Sequence, residues 1–134
     1  MARRLILDTT VLVTAERGAA SLDELLEDDD DVAIAAVTAA ELLVGVELAD
    51  AGRRRAREAF VGEVLGTIPI EEYDLGVARA HARLLAHVRQ AGRPRGAHDL
   101  IIAATAAATG RTVVTADTGG FEQLPDIAVL DRSS

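Results

Sequence analysis

Leu5-Ile6-Leu7-Asp8-Thr9-Thr10 sets three apolar residues directly before an acid and two hydroxyls. A short, unbroken apolar run reads as a strand buried on both faces, the kind found inside parallel sheets. An acid directly after such a run is partly buried, and costly there unless it is paired or works. Thr9 or Thr10 can then cap a short helix reaching about Arg17.

The rest of the chain repeats this grammar. Ser21 and Glu24 form a capping box before a helix with Leu22, Leu25 and Leu26 as its apolar face. The acidic run Asp28 to Asp31 reads as a solvated loop, with a cation site as the second reading. Val32 to Val37 is the second strand, and Thr38 with Glu41 makes another capping box for a helix reaching about Asp50. Arg53 to Leu65 is amphipathic, and Ile68-Pro69-Ile70 is an edge strand, because proline cannot donate to a ladder. A helix over Leu75 to Gln90 leads through Gly92-Arg93-Pro94-Arg95-Gly96 into an alanine-rich helix, Ala97 to Thr109, which Gly110 stops. Thr112 to Thr115 and Ile127 to Leu130 complete the strands. Alternating strands and helices predict a three-layer α/β/α sandwich with a mainly parallel central sheet. The 134 residues suit a single domain, with no linker or repeat.

Composition narrows the function. Hydrophobic residues are 49%, no apolar run approaches the roughly 20 residues of a membrane span, and no secretory leader is visible, so a cytoplasmic protein is expected. No cysteine is present, which removes disulfides and thiolate metal sites. All 14 basic residues are Arg, so any mechanism needing a lysine is excluded. The net charge of −8 opposes long-range attraction to nucleic acid. Phe60, Tyr73 and Phe121 are the only aromatics, too few for a base-stacking platform.

Four acids stand where a parallel sheet gathers its chemistry, at strand ends and helix starts. Asp8 ends the first strand, Glu41 lies in the first turn after the second, Asp99 opens the alanine-rich helix, and Asp117 follows another strand. Each has a structural alternative: an Asx turn or cap for Asp8, a capping box for Glu41, a helix dipole for Asp99, a turn for Asp117. Taken together they suit a hard divalent cation, Mg2+ or Mn2+, which relieves their mutual repulsion and can activate water at a phosphodiester. His81 and His87 read as surface or interface residues, and His98 as a weak supporting candidate.

Leu-Ile-Leu-Asp-Thr-Thr, Thr38 to Val46, Gly92 to Ala106 and Val114 to Phe121 together resemble the PIN-domain ribonucleases, specifically the VapC-type toxins of toxin–antitoxin pairs. The resemblance spans essentially the whole chain. It implies a Mg2+-dependent endoribonuclease, a homodimer, and a VapB-type antitoxin whose arginine neutralises the acidic pocket, seated on helices near the amino end. It carries the metal ligands onto Asp8, Glu41, Asp99 and Asp117, a hydroxyl role onto Thr9 or Thr10, and an ordering role onto Thr115. Arg93 and Arg95 would meet substrate phosphates. Ala97 and Gly120 depart from the pattern, since relatives often carry acids there, which implies a lean metal site. Dehalogenase-like phosphatases and receiver domains fail on the missing lysine, and a ribonuclease-H fold fails on the helices between the first two strands. A catalytically silent PIN-like binding domain and a solitary RNA-processing nuclease are the rivals.

Overall fold

A computed structural model describes residues 2–18 and 22–132. Five strands, β1 (Arg4–Leu7), β2 (Asp31–Ala35), β3 (Ile70–Glu71), β4 (Thr112–Thr115) and β5 (Val129–Asp131), form one sheet in the order β3-β2-β1-β4-β5. All four pairings are parallel. The six helices are α1 (Thr9–Glu16), α2 (Leu22–Leu25), α3 (Ala36–Leu48), α4 (Ala51–Thr67), α5 (Leu75–Ala91) and α6 (Ala97–Thr109). Ser21, and with it the amino-terminal capping box, lies outside the described residues.

Alternation along the strands sorts side chains into two cores. Ile6, Ala35 and Val113 pack against α5 and α6, while Leu5, Leu7, Ile34 and Val114 pack against α1, α3 and α4. That is the three-layer sandwich expected. The alanines of α6 have a steric purpose: Ala103, Ala104 and Ala106 are buried, and their small size lets α6 lie close to the sheet and to α5. Ile6, Leu7, Leu12, Ile34 and Ile102 are almost wholly buried, each worth about 1.5–3 kcal/mol of transfer free energy. Among the described residues no helix is long and apolar enough to cross a membrane.

Two helix starts differ from expectation. Asp8, not Thr9 or Thr10, caps α1: its backbone is extended and its carboxylate accepts the Thr9 amide. The threonine hydroxyls are turned to acids instead. β2 ends at Ala35, so α3 begins at Ala36 and no side chain caps it. Thr38 is therefore buried inside the helix and Glu41 falls in its second turn, which removes the capping box. Pro69 lies directly before β3, the edge strand, as its missing N–H requires.

In the Asp28–Asp31 run, Asp28 and Asp29 are exposed in a turn, as a solvated loop requires, Asp31 opens β2, and Asp30 is held by an arginine. Arg3 donates to both Asp30 oxygens at 2.9 and 2.7 Å, and Asp30 also accepts the Glu27 amide at 2.7 Å. That hydrogen bond from Arg3 holds the Asp30 carboxyl below its ordinary range.

Candidate active site

Sheet order decides where a site can form. From β1 the chain adds β2 and β3 on one side, and β4 and β5 lie on the other, so the connections part beyond the carboxyl ends of β1 and β4. Open α/β sheets bind their ligands in that crevice. Pairing of Leu7 with Val114 continues one step as the Asp8 amide donates to the Val114 carbonyl at 2.9 Å, which sets Asp8 beside Thr115.

Asp8 is 3% exposed and held by three donors. Its Oδ1 accepts the Thr9 amide at 2.8 Å, and its Oδ2 accepts the Thr10 and Thr115 hydroxyls at 2.7 and 2.8 Å. Both hydroxyls are themselves oriented by backbone: Thr10 Oγ1 accepts the Ala116 amide and Thr115 Oγ1 the Asp117 amide, each at 3.0 Å. The second strand end thus fixes the acid of the first.

Glu41 reaches the same cleft from further along α3. Helical side chains lean toward the amino terminus, and glutamate has the length for a second-turn position. Its Oε1 accepts the Thr9 hydroxyl at 2.8 Å, and its Oε2 lies 3.2 Å from His98 Nδ1. His98 therefore flanks Glu41, although it points away from its neighbour Asp99 on the helix. Asp8, Glu41 and Asp99 line one open cleft of about 360 Å3 together with Thr9, Thr10, Val13, Thr14 and Arg17. Asp117 is exposed outside it, and its Oδ1 caps the following 3-10 turn through the Gly119 amide at 3.1 Å.

Asp99 feels all of them. Burial pushes its carboxyl up first, followed by the charges of Asp8, Glu41 and Asp117, while His98 opposes the shift. A carboxyl raised on folding binds its proton more tightly in the native chain, so its contribution stabilises at low pH and is lost as pH rises through the folded value. Without divalent cation, Asp99→Asn is expected to melt a few degrees above wild type near pH 7.5, the gap closing as pH falls toward 4. Calorimetry across that range checks it, and a variant melting below wild type at neutral pH would contradict the crowding of charge.

Arg93 and Arg95 are placed differently. The Arg93 guanidinium donates to the Gln123 side chain. Arg95 is half-buried and donates to the Glu122 carbonyl at 2.8 Å, so it pins the loop after Gly120. Arg17, not singled out in the sequence, lines the cleft because α1 spaces it at i, i+4 and i+7 with Thr10 and Thr14.

The PIN-domain family model matches residues 5–127. The chain belongs to the PIN-domain family. Among its relatives is Ribonuclease VapC5 of Mycobacterium tuberculosis, 38% identical over 129 residues, covering 96% of this chain and 89% of that one. The solved VapBC-5 structure from the same organism superposes with a TM-score of 0.79 at 34% identity, covering 96% and 98% of the two chains. DNA-bound VapBC from Salmonella typhimurium gives a TM-score of 0.86 at 26% identity, covering 98% of each chain. This PIN domain is thus of the VapC type.

Proposed function

We propose that this PIN domain is a Mg2+-dependent endoribonuclease and the toxin half of a toxin–antitoxin pair, with Asp8, Glu41, Asp99 and Asp117 as its cation ligands. The observation that carries it is three carboxylates from three elements meeting in one cleft at the β1/β4 crevice. The names of the curated relatives, ribonucleases of the VapC type, support the reaction.

The donors fit a hard cation, since all four are carboxylate oxygens. Among the described residues, the three acids whose oxygens lie within 4.8 Å of one another are Glu27, Asp29 and Asp30, just before the amino end of β2; the cleft acids are more widely spread. Such spacing suits magnesium, which retains several of its waters, with manganese as a substitute. When bound, the cation supplies an activated water and neutralises charge on a phosphoryl oxygen. Thr10 and Thr115 hold the Asp8 carboxylate still, Thr9 and His98 hold that of Glu41, and Arg17 stands where a phosphate enters. Cleavage of a structured RNA by purified protein should need Mg2+, stop with EDTA and return with Mn2+. Equal cutting in EDTA would refute the reading.

For the antitoxin, the groove between α1, α2 and α4 is apolar at its floor, with Ala15, Leu22, Phe60, Val64 and Ile68, and acidic at its rim, with Asp23 and Glu63. That chemistry suits a VapB-type segment with apolar anchors and basic flanks. A homodimer is supported by exposed apolar residues on α3, Leu43, Val44 and Leu48, and by Ile70, Tyr73 and Leu75 on and after the adjoining β3. Leu48→Glu with Leu75→Glu is expected to convert a dimer to a monomer in sedimentation velocity. A wild type already monomeric at tens of micromolar would remove the dimer.

A further inference from the structure

Charge is segregated along this chain. Residues 75–98 hold five Arg, all three His and no acid, while the other 110 residues hold nine Arg against all 22 acids. That basic stretch is α5, the loop to α6 and the first two residues of α6, and it ends one residue before Asp99.

The helix presents this charge to solvent. Val77, Ala80, Leu84 and Val88 are buried against the core, which turns Arg79, Arg83 and His87 outward at i, i+4 and i+8. Eight residues of helix span about 12 Å, and Arg93 extends the line past the Gly92 cap. Of the nine arginines elsewhere, five meet carboxylates: Arg3 with Asp30, Arg4 and Arg111 with Asp31, Arg54 with Glu58, Arg57 with Glu16. Among the described residues no such partner stands against Arg79, Arg83 or Arg89, and Arg93 has only the neutral Gln123 side chain. The line leads to the cleft: Arg95 and Arg93 bind the Glu122–Gln123 segment, and Gly120 just before it lies against the Asp99 carboxylate.

We infer that the outer face of α5, with Arg79, Arg83, His87 and Arg93, is a phosphate track that holds the backbone of an RNA whose scissile bond lies in the acidic cleft. The inference rests on the nuclease reading above. An acidic cleft repels a polyanion, so a chain of net charge −8 needs a local positive surface to retain one. Guanidinium forks pair with phosphate oxygens in two-point fashion. Phe121 is buried, and the exposed aromatic near the line, Tyr73, has its hydroxyl tied to His81 at 2.8 Å. The track therefore grips backbone rather than bases.

The test uses full-length Asp8→Asn protein, which binds without cutting, and a fluorescent RNA hairpin titrated from 50 to 300 mM NaCl. Arg79→Gln with Arg83→Gln should weaken binding about tenfold at 100 mM and lower the log–log salt slope by about 2. Arg53→Gln with Arg55→Gln on α4, the same charge change, should do neither. Equal effects from both pairs, no effect from the α5 pair, or no hairpin binding at all would overturn the track. Displacement of the hairpin by polyglutamate as effective as by unlabelled RNA would assign the face to an acidic protein instead. The two readings fail separately. If wild type cuts with Mg2+ while the α5 variant binds and cuts normally, only the track is lost; if the α5 residues set the salt slope but nothing is cut, only the nuclease is lost.

Discussion

Asp8→Asn is expected to lower Mg2+-dependent RNA cleavage at least about 1,000-fold in single-turnover assays, while the protein stays folded. A factor of that size corresponds to about 4 kcal/mol of lost transition-state stabilisation. Asn keeps the shape of Asp, and its Oδ1 can still accept the Thr9 amide that opens α1. The two hydroxyls aimed at Oδ2 would now face an NH2 group, but each can turn. Thr115, for example, lies 3.0 Å from the Asp117 carbonyl and can donate there. The fold therefore loses about one hydrogen bond's worth, about 1 kcal/mol. What disappears is the negative charge, which no amide supplies to a cation. Asp117→Asn is the informative companion, because Asp117 is exposed and outside the cleft that Asp8, Glu41 and Asp99 share. A loss of about tenfold is expected there. Equal losses at the two positions would show that the outer carboxylate is as central as the buried one.

Much of this arrangement was legible in the residue order, because strand ends and helix starts are written locally. Leu5 to Leu7 had to be buried on both faces, and the acid after it had to sit at the sheet's edge. Alternating strands and helices required parallel pairing, and Pro69 marked the edge strand. Packing decided the rest. Nothing local says that β2 hands over to α3 two residues early, at Ala36, which places Glu41 a turn deeper and makes its length matter. The threonines looked like caps because a hydroxyl beside a helix start accepts an amide by habit. Here Asp8 takes that amide, and this frees Thr9 and Thr10 to donate to carboxylates. Arg17 was invisible because its role depends on which face of α1 looks into the cleft. His98 reaches Glu41 only because α6 packs beside α3. The acidic run at Asp28 to Asp31 was ambiguous until Arg3, 27 residues before Asp30, closed on it.

Gly120 was readable only as a departure from the family pattern, a missing acid, yet its hydrogen side chain has a positive use. A Cβ built there would lie 2.3 Å from Asp99 Oδ2 and 2.9 Å from its Cγ, far inside contact distance. Gly120 is not among the glycines with positive φ, so alanine suits its backbone and leaves the fold little changed. Asp99 must yield instead, and its short side chain, fixed on the first turn of α6, can only swing its carboxylate out of the place it now holds. Gly120→Ala is thus expected to melt within a few degrees of wild type yet cut RNA about 100-fold more slowly, since displacement of a ligand by about 1 Å carries that cost. The Mg2+ concentration for half-maximal rate should rise as well. Gly119→Ala serves as the neighbouring control: its Cβ would touch Asp117 Oδ1 at 3.3 Å, a contact relieved by a few tenths of an ångström. A wild-type rate in Gly120→Ala would mean that Asp99 acts from some other position. A 100-fold loss there, with Gly119→Ala close to normal, would tie activity to the location of one carboxylate rather than to the count of acids around it.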